Sequence, residues 1–186
     1  MSNIGVQFPL SAFGDLRTIE LSPQVQLSFE YTVDNTEILD NAVTNTGTVT
    51  QANAMAVTST GTTTNSTACC RSKRHAKYRA GLGGLVRFTT VFSTAVADTV
   101  QLGGIIDETG SSAAFKNGFA VGYNGSGTDF GFLGFQNDVL TSVLIGAWDD
   151  PLDGTGASGV TIDQTKGNVW FIQFQYLGFG AITLWY

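Results

Sequence analysis

The feature that most constrains the fold is a repeated alternation of apolar and polar residues in short runs. In Gln24–Val33 the apolar side chains occupy every second position, as in a strand that buries one face. From Gly84 onward, short apolar runs are separated by Gly and Asn turn signals, and no window has helical periodicity. These runs predict strands over Gly84–Thr94, Thr99–Ile106, Phe119–Tyr123, Asp129–Phe135, Val139–Ile145, Val169–Tyr176 and Ala181–Tyr186. The sequence therefore predicts an all-β fold, an antiparallel β-sandwich of the jelly-roll type.

A threonine-rich stretch separates the first alternating run from the later ones. Residues 41–70 carry no charge, and the even positions from 44 to 60 hold only Thr or Ala. Thr favours extended backbone, so the stretch is either a connecting hairpin or a strand whose small side chains let another sheet or subunit approach closely. We expect an extended N-terminal β region over residues 1–70 that makes assembly contacts, and a sandwich domain over residues 71–186.

Charge and hydropathy exclude two classes of partner. The net charge is −6, and an acidic surface disfavours nucleic-acid binding. The apolar runs are too short for a transmembrane helix, so we expect no membrane insertion. The last residues lie inside an apolar strand pattern, so we expect either that this strand pairs within a sheet or that the natural chain continues.

The two cysteines, Cys69 and Cys70, are adjacent. Neighbouring α-carbons lie about 3.8 Å apart, closer than the roughly 4.4–6.8 Å that a disulfide prefers. We therefore expect two thiols, which are small buried residues at the start of a strand. An intermolecular cross-link or a metal ligand is the alternative, although two cysteines alone cannot complete a zinc shell.

The titratable residues do not form a recognisable catalytic motif. His75 is the single histidine, and it lies among cationic residues that disfavour the imidazolium. Asp107 and Glu108 are adjacent, whereas glycoside hydrolysis needs two carboxylates that face one cleft. We expect no catalytic residue, no cofactor and no enzyme activity, and a hydrolase is the third and least favoured hypothesis.

Trp148–Gly154 places three aspartates beside a tryptophan. Calcium favours carboxylate ligands, but the spacing does not match an EF-hand loop, and a solvated turn explains the same residues. We therefore predict no metal site. A sugar ring can stack on an aromatic side chain, and the candidate glycan-binding residues are Tyr123, Asp129 and Trp148.

Five of the nine lysines and arginines fall between residues 71 and 79. If this segment is a strand, the odd positions from Arg71 to Arg79 form a positive stripe. The stripe is either a charged edge that blocks unwanted pairing or a docking surface for an acidic partner, such as a neighbouring copy. Nucleic acid has little support, because no aromatic residues are interleaved. The candidate partner-binding residues are Arg71, Lys73, Arg74, Lys77 and Arg79.

Several stretches of the later chain carry a recognisable pattern: Ser66–Ala68, Arg71–Arg74, Lys77–Thr89, Asn117–Gly125, Asp129–Gly131, Gly159–Asp163, Thr165–Trp170 and Gln173–Gly180. On these stretches, residues 66–186 resemble capsid-associated, fibre and spike proteins of tailed phages and large DNA viruses. The chain departs from the pattern at Ala80 and Leu82, where Pro and Gln are expected. The strand order is similar to that of a concanavalin or laminin-G jelly roll. The resemblance implies a structural role and brings no catalytic residues.

We therefore expect a viral structural protein located in the virion, as a minor capsid, decoration, spike or fibre component. Small-residue seams and an acidic surface suit a symmetric homo-oligomer, for which we expect a trimer. The expected partners are further copies, other capsid or virion proteins and a host-surface glycan. The alternative is a carbohydrate-binding, lectin-like module.

Overall fold

The computed structural model describes residues 22–33, 38–77, 83–108, 115–175 and 181–186. Within these ranges the chain forms β-strands and one 3-10 turn, Ile145–Ala147, and it contains no α-helix. The all-β prediction is therefore confirmed. In chain order the strands are β1 (Leu39–Thr44), β2 (Thr48–Ala52), β3 (Met55–Ser59), β4 (Thr67–Ser72), β5 (Gly83–Thr90), β6 (Val100–Glu108), β7 (Phe115–Asn124), β8 (Phe130–Gln136), β9 (Val139–Leu144), β10 (Asn168–Gln175) and β11 (Ile182–Trp185).

The described residues form two compact units. The N-terminal unit contains residues 22–33 and 38–77, with β1 to β4. The sandwich unit contains residues 83–107, 115–175 and 181–186, with β5 to β11. The boundary between the units lies beyond residue 77, later than the boundary expected after residue 70, because β4 continues to Ser72 and pairs with β1.

The N-terminal unit is built from two antiparallel pairs. β1 pairs with β4, and β2 pairs with β3. Asn53 and Ala54 join β2 to β3, both with positive φ, which is the backbone of a two-residue type I′ hairpin. The threonine-rich stretch therefore includes a hairpin, the first of the two interpretations of its sequence.

The strand predicted over Gln24–Val33 is wrong. The side chains of this segment do alternate between half-buried and exposed up to residue 30, but the backbone forms no strand ladder. Its carbonyls accept hydrogen bonds from side chains: Gln51 Nε2 donates to the Phe29 carbonyl at 3.1 Å, and Asn41 Nδ2 donates to the Val33 carbonyl at 2.6 Å. The alternation of burial in this segment therefore occurs without a partner strand.

The sandwich unit contains a three-stranded sheet in the order β11-β10-β5 and a four-stranded sheet in the order β6-β7-β8-β9. Both sheets are antiparallel. All seven strands predicted after residue 83 are present, with ends displaced by a few residues. The final strand, β11, pairs with β10, which agrees with the expectation that this strand pairs within a sheet.

Aromatic rings from both sheets form the core between them. Trp170 on β10 is fully buried, and its ring centroid lies 5.9 Å from that of Phe130 on β8. Val121 on β7 and Phe92 belong to the same buried cluster. The β-sandwich is therefore confirmed, and the jelly-roll order of its connections stays a prediction.

The central strands of the four-stranded sheet are buried on both faces. Val121 faces the aromatic core, whereas Ala120 and Leu133 project from the opposite face and are also fully buried. Gly122 has a φ of +155°, and a Cβ there would clash with the carbonyl oxygen of Gln101. Only glycine permits β6 and β7 to approach so closely at this point. The exposed apolar surface of this sheet therefore lies at its edges.

Candidate functional site

The most exposed apolar strand of the sandwich unit is β9. Val139, Leu140 and Val143 are 63 %, 42 % and 45 % exposed. β9 pairs with β8 along one side and, among the described strands, with none along the other. It therefore presents both apolar side chains and backbone hydrogen-bonding groups to the surroundings.

Within the described residues, this edge lacks the sequence features that usually prevent strand pairing. Natural edge strands are protected by lysine, proline, a β-bulge or an inward-pointing charge. Residues 139–148 contain no charged residue and no proline, and the register between β8 and β9 runs without interruption from Gly131 opposite Leu144 to Gln136 opposite Val139. An unprotected edge of this kind is a template for a strand from another chain.

Tyr123, the first candidate glycan-binding residue, lies in the core and is 7 % exposed. Its ring meets those of Phe130 and Phe92 edge-on, at centroid distances of 5.1 Å and 6.0 Å. Burial, and to a smaller extent the charge of Asp163, raises the pKa of the Tyr123 phenol. Because packed rings cover it, the structure gives this side chain a packing role.

Trp148 packs against the same core from the 3-10 turn. Its ring centroid lies 6.3 Å from that of Trp170, and its indole N–H donates to the Val143 carbonyl at 2.9 Å. Asp129, the third candidate, closes the β7–β8 turn through its backbone, where its carbonyl accepts from the Asn124 N–H at 3.2 Å. The three residues therefore do not form an open sugar-stacking surface.

The loop after Trp148 is organised by its aspartates. Asp150 Oδ1 accepts from the Leu152 N–H at 3.1 Å, and Oδ2 accepts from the Ser158 N–H at 2.7 Å. These bonds lower the pKa of Asp150, with that from Ser158 the largest cause. A Cβ on Gly156 would clash with this carboxylate. Asp150 therefore ties two parts of the loop together.

Asp153 and Asp163 repeat one arrangement ten residues apart. Asp153 Oδ1 accepts from the hydroxyl of Thr155 at 2.6 Å and from its N–H at 2.9 Å. Asp163 Oδ1 accepts from Thr165 in the same way, at the same two distances. The threonine hydroxyl is the largest cause of the lowered pKa in each aspartate. These carboxylates hold turns.

Metal binding and redox chemistry gain no support from the described residues. No group of three or more His, Cys, Asp or Glu side chains within them is placed to hold a metal ion. Cys69 and Cys70 lie on β4 as half-buried residues, and neither is in a disulfide. Burial raises the pKa of the Cys70 thiol, and a raised pKa lowers its thiolate fraction and its reactivity.

Arg71, the first residue of the predicted basic stripe, is paired within its own chain. It lies opposite Asp40 in the β1–β4 register. The distance from its Nη2 to Asp40 Oδ2 is 2.6 Å, and its Nε donates to the same oxygen at 2.7 Å. This ion pair links β4 to β1 within the chain, so the Arg71 guanidinium is already bonded to a carboxylate of its own unit.

The rest of the basic stripe does not continue as a strand. β4 ends at Ser72, whose Oγ accepts from the Arg74 N–H at 3.0 Å, and residues 73–77 are exposed and irregular. The positive stripe required this segment to be a strand, and that condition is not met over residues 73–77. Arg79 lies outside the described residues.

Sequence reasoning did not identify the β9 edge as a functional surface. It predicted the strand correctly, but periodicity does not show which strands lie at the edge of a sheet. The available signal was the absence of charge from Val139 to Trp148 in an antiparallel sheet.

None of the described residues forms a helix long and apolar enough to span a bilayer. No protein-family model matches the chain, and comparisons with curated proteins and with solved structures found no similar protein.

Proposed function

We propose that this chain is a structural protein of a virus particle, a minor capsid, decoration, spike or fibre component that acts by assembly. The observation that carries the proposal is the β9 edge, an uncharged strand with exposed apolar side chains and an open backbone side among the described residues. The virion assignment rests on the resemblance of residues 66–186 to virion structural proteins. The β-sandwich is in keeping with that resemblance.

A non-enzymatic role is supported by the use of the carboxylates. Asp150 and Asp153, from the acidic Trp148–Gly154 segment, and Asp163, which lies later in the chain, each accept hydrogen bonds that hold a turn. Their lowered pKa values keep them ionised, whereas a general acid needs a pKa close to the working pH.

Symmetry decides how β9 contributes to an oligomer. In a twofold dimer, β9 pairs with the β9 of the partner. A closed ring of three has heterologous contacts, so β9 of one copy meets a different surface of the next. We propose the trimer, in which β9 extends the four-stranded sheet across each subunit boundary onto another strand edge of the neighbouring copy.

The mass of the full chain in solution tests assembly. Light scattering after size-exclusion chromatography is expected to give three chains. A strict monomer at high concentration contradicts the proposal, and a dimer contradicts its heterologous form.

A substitution in β9 tests the surface. Leu140→Lys places a charge on the exposed edge, and we expect association to weaken by about tenfold or more, because edge lysines block strand pairing. Val96→Lys is the matched control, since Val96 is also exposed but lies outside the strands. If Leu140→Lys assembles as the unchanged chain does, β9 is not the contact.

The virion assignment has its own test. An electron-microscopy map of a virus particle in which this chain is traced supports it. Purified particles that lack the chain, with all of the protein in the particle-free fraction, contradict it.

A further inference from the structure

A row of three side chains crosses the outer face of the three-stranded sheet. Trp185 on β11 lies opposite Phe171 on β10, which in turn lies opposite Arg87 on β5. Directly opposed residues project from the same face. Trp170 and Leu184, their neighbours in sequence, pack into the core, so the row projects away from it.

The part of this outer face around the three-residue row is exposed to solvent and accessible to a ligand. Trp185 is 55 % exposed, Arg87 is exposed, and Phe171 is half-buried. The next pair along the strands, Val169 and Thr89, is also exposed. We call these five residues the outer platform. An exposed tryptophan beside an arginine offers a ligand both an apolar ring and a cationic hydrogen-bond donor.

Arg87 is available for recognition. Among the described residues, Arg71 pairs with Asp40 in the N-terminal unit, and no acidic side chain pairs with Arg87. Its cross-strand partner on β10 is the apolar Phe171. A guanidinium beside aromatic rings keeps its five donors for an anion, and it binds a carboxylate through two parallel hydrogen bonds.

We propose that the outer platform binds an oligosaccharide that carries a carboxylate. The indole of Trp185 covers the apolar C–H face of a sugar ring, Arg87 binds the carboxylate, and the hydroxyl of Thr89 offers a further hydrogen bond. Charge complementarity selects this occupant over a neutral sugar. The net charge of −6 disfavours a polyanionic nucleic acid. The site lies apart from β9 and goes beyond the assembly role.

Tryptophan fluorescence of the full chain with sialyllactose as the probe tests this proposal. Of the three tryptophans, Trp170 is fully buried and Trp148 packs against the core, so a quench or shift reports on Trp185. We expect a saturable change with sialyllactose and none with lactose, its neutral counterpart.

Variants assign the response to the platform. Arg87→Gln is expected to weaken binding about tenfold, because a charged hydrogen bond is lost. Trp185→Phe, which keeps a ring, is expected to retain binding that Trp185→Ala loses, as measured by ligand-observed NMR. Lys116→Gln, on β7 in the other sheet, removes the same charge and is expected to leave binding unchanged.

Three results overturn the proposal. They are the absence of a response to sialyllactose, an equal response to lactose, and undiminished binding in Arg87→Gln. Tighter binding of a single-stranded oligonucleotide at the same residues also overturns it, in favour of a nucleic-acid platform.

Discussion

At the residue scale, aspartate side chains determine the backbone of the loop between the 3-10 turn and β10. The sequence predicted a turn there and left a cation or a sugar as alternatives. The spacing of Asp153 and Thr155, repeated in Asp163 and Thr165, is the signature of a side chain that caps its own turn. That spacing was visible in the sequence. The second bond of Asp150, to the N–H of a residue eight positions away, was not, because it depends on tertiary structure.

Gly156→Ala tests the contact between the loop and Asp150. The added Cβ clashes with the carboxylate and displaces one or both of its hydrogen bonds, so we expect the free energy of unfolding to fall by about 1–2 kcal/mol. Urea unfolding measures the change. Gly167→Ala is the control, because a Cβ there meets open space, and an equal loss in both variants would contradict the account.

The loop carboxylates also predict a dependence on pH. Asp150, Asp153 and Asp163 have lowered pKa values in the folded chain, so their stabilising contribution is complete above the unfolded value of about 3.9 and is lost as pH falls through the lower folded values. We expect the thermal midpoint to fall as pH decreases below about 4.

Asp163→Asn should reduce this drop, and Asp149→Asn should not. The carboxylate of Asp149 is exposed and accepts no hydrogen bond from the described residues, so it is a matched control. A thermal midpoint that stays constant over this pH range would contradict the assignment.

At the scale of elements, the sandwich strands were predictable and the first alternating segment was not. Gly and Asn residues mark the end of β7 at Asn124 and the start of β10 at Asn168, and apolar runs beside such signals have few alternatives to a strand. Gln24–Val33 has an equally regular pattern. However, alternation predicts which side chains are buried, and it does not predict which groups form hydrogen bonds with the backbone. Amide side chains of Gln51 and Asn41 bond that backbone in the folded chain.

The β2–β3 hairpin offers a test at this scale. Ala54 has a φ of 60°, which is strained for a residue with a Cβ, so Ala54→Gly is expected to stabilise the hairpin by about 1 kcal/mol. Ala52→Gly, in β2, is the matched control and is expected to destabilise by about 0.5–1 kcal/mol. Hydrogen exchange of the hairpin amides measures both, and a loss of protection in Ala54→Gly would be the contrary result.

At the scale of the whole molecule, the sequence predicted the architecture better than the surfaces. Alternation shows that Trp170 and Phe171 point in opposite directions, but not which of them faces the core. Tyr123 and Trp148 were candidates for a sugar site, but Tyr123 is buried and Trp148 packs against the core. The exposed ring of Trp185 and the edge position of β9 depend on the order of strands in the two sheets, which local patterns do not encode.

Assembly through β9 is the central claim, and backbone hydrogen exchange at that strand tests it most directly. The full chain is compared at low and high protein concentration, with exchange followed at the amides of Val139–Leu144. The account predicts that protection of these amides rises with concentration while that of the buried β8 stays constant. Exchange at β9 that is fast and unchanged at every concentration at which the chain associates would contradict it.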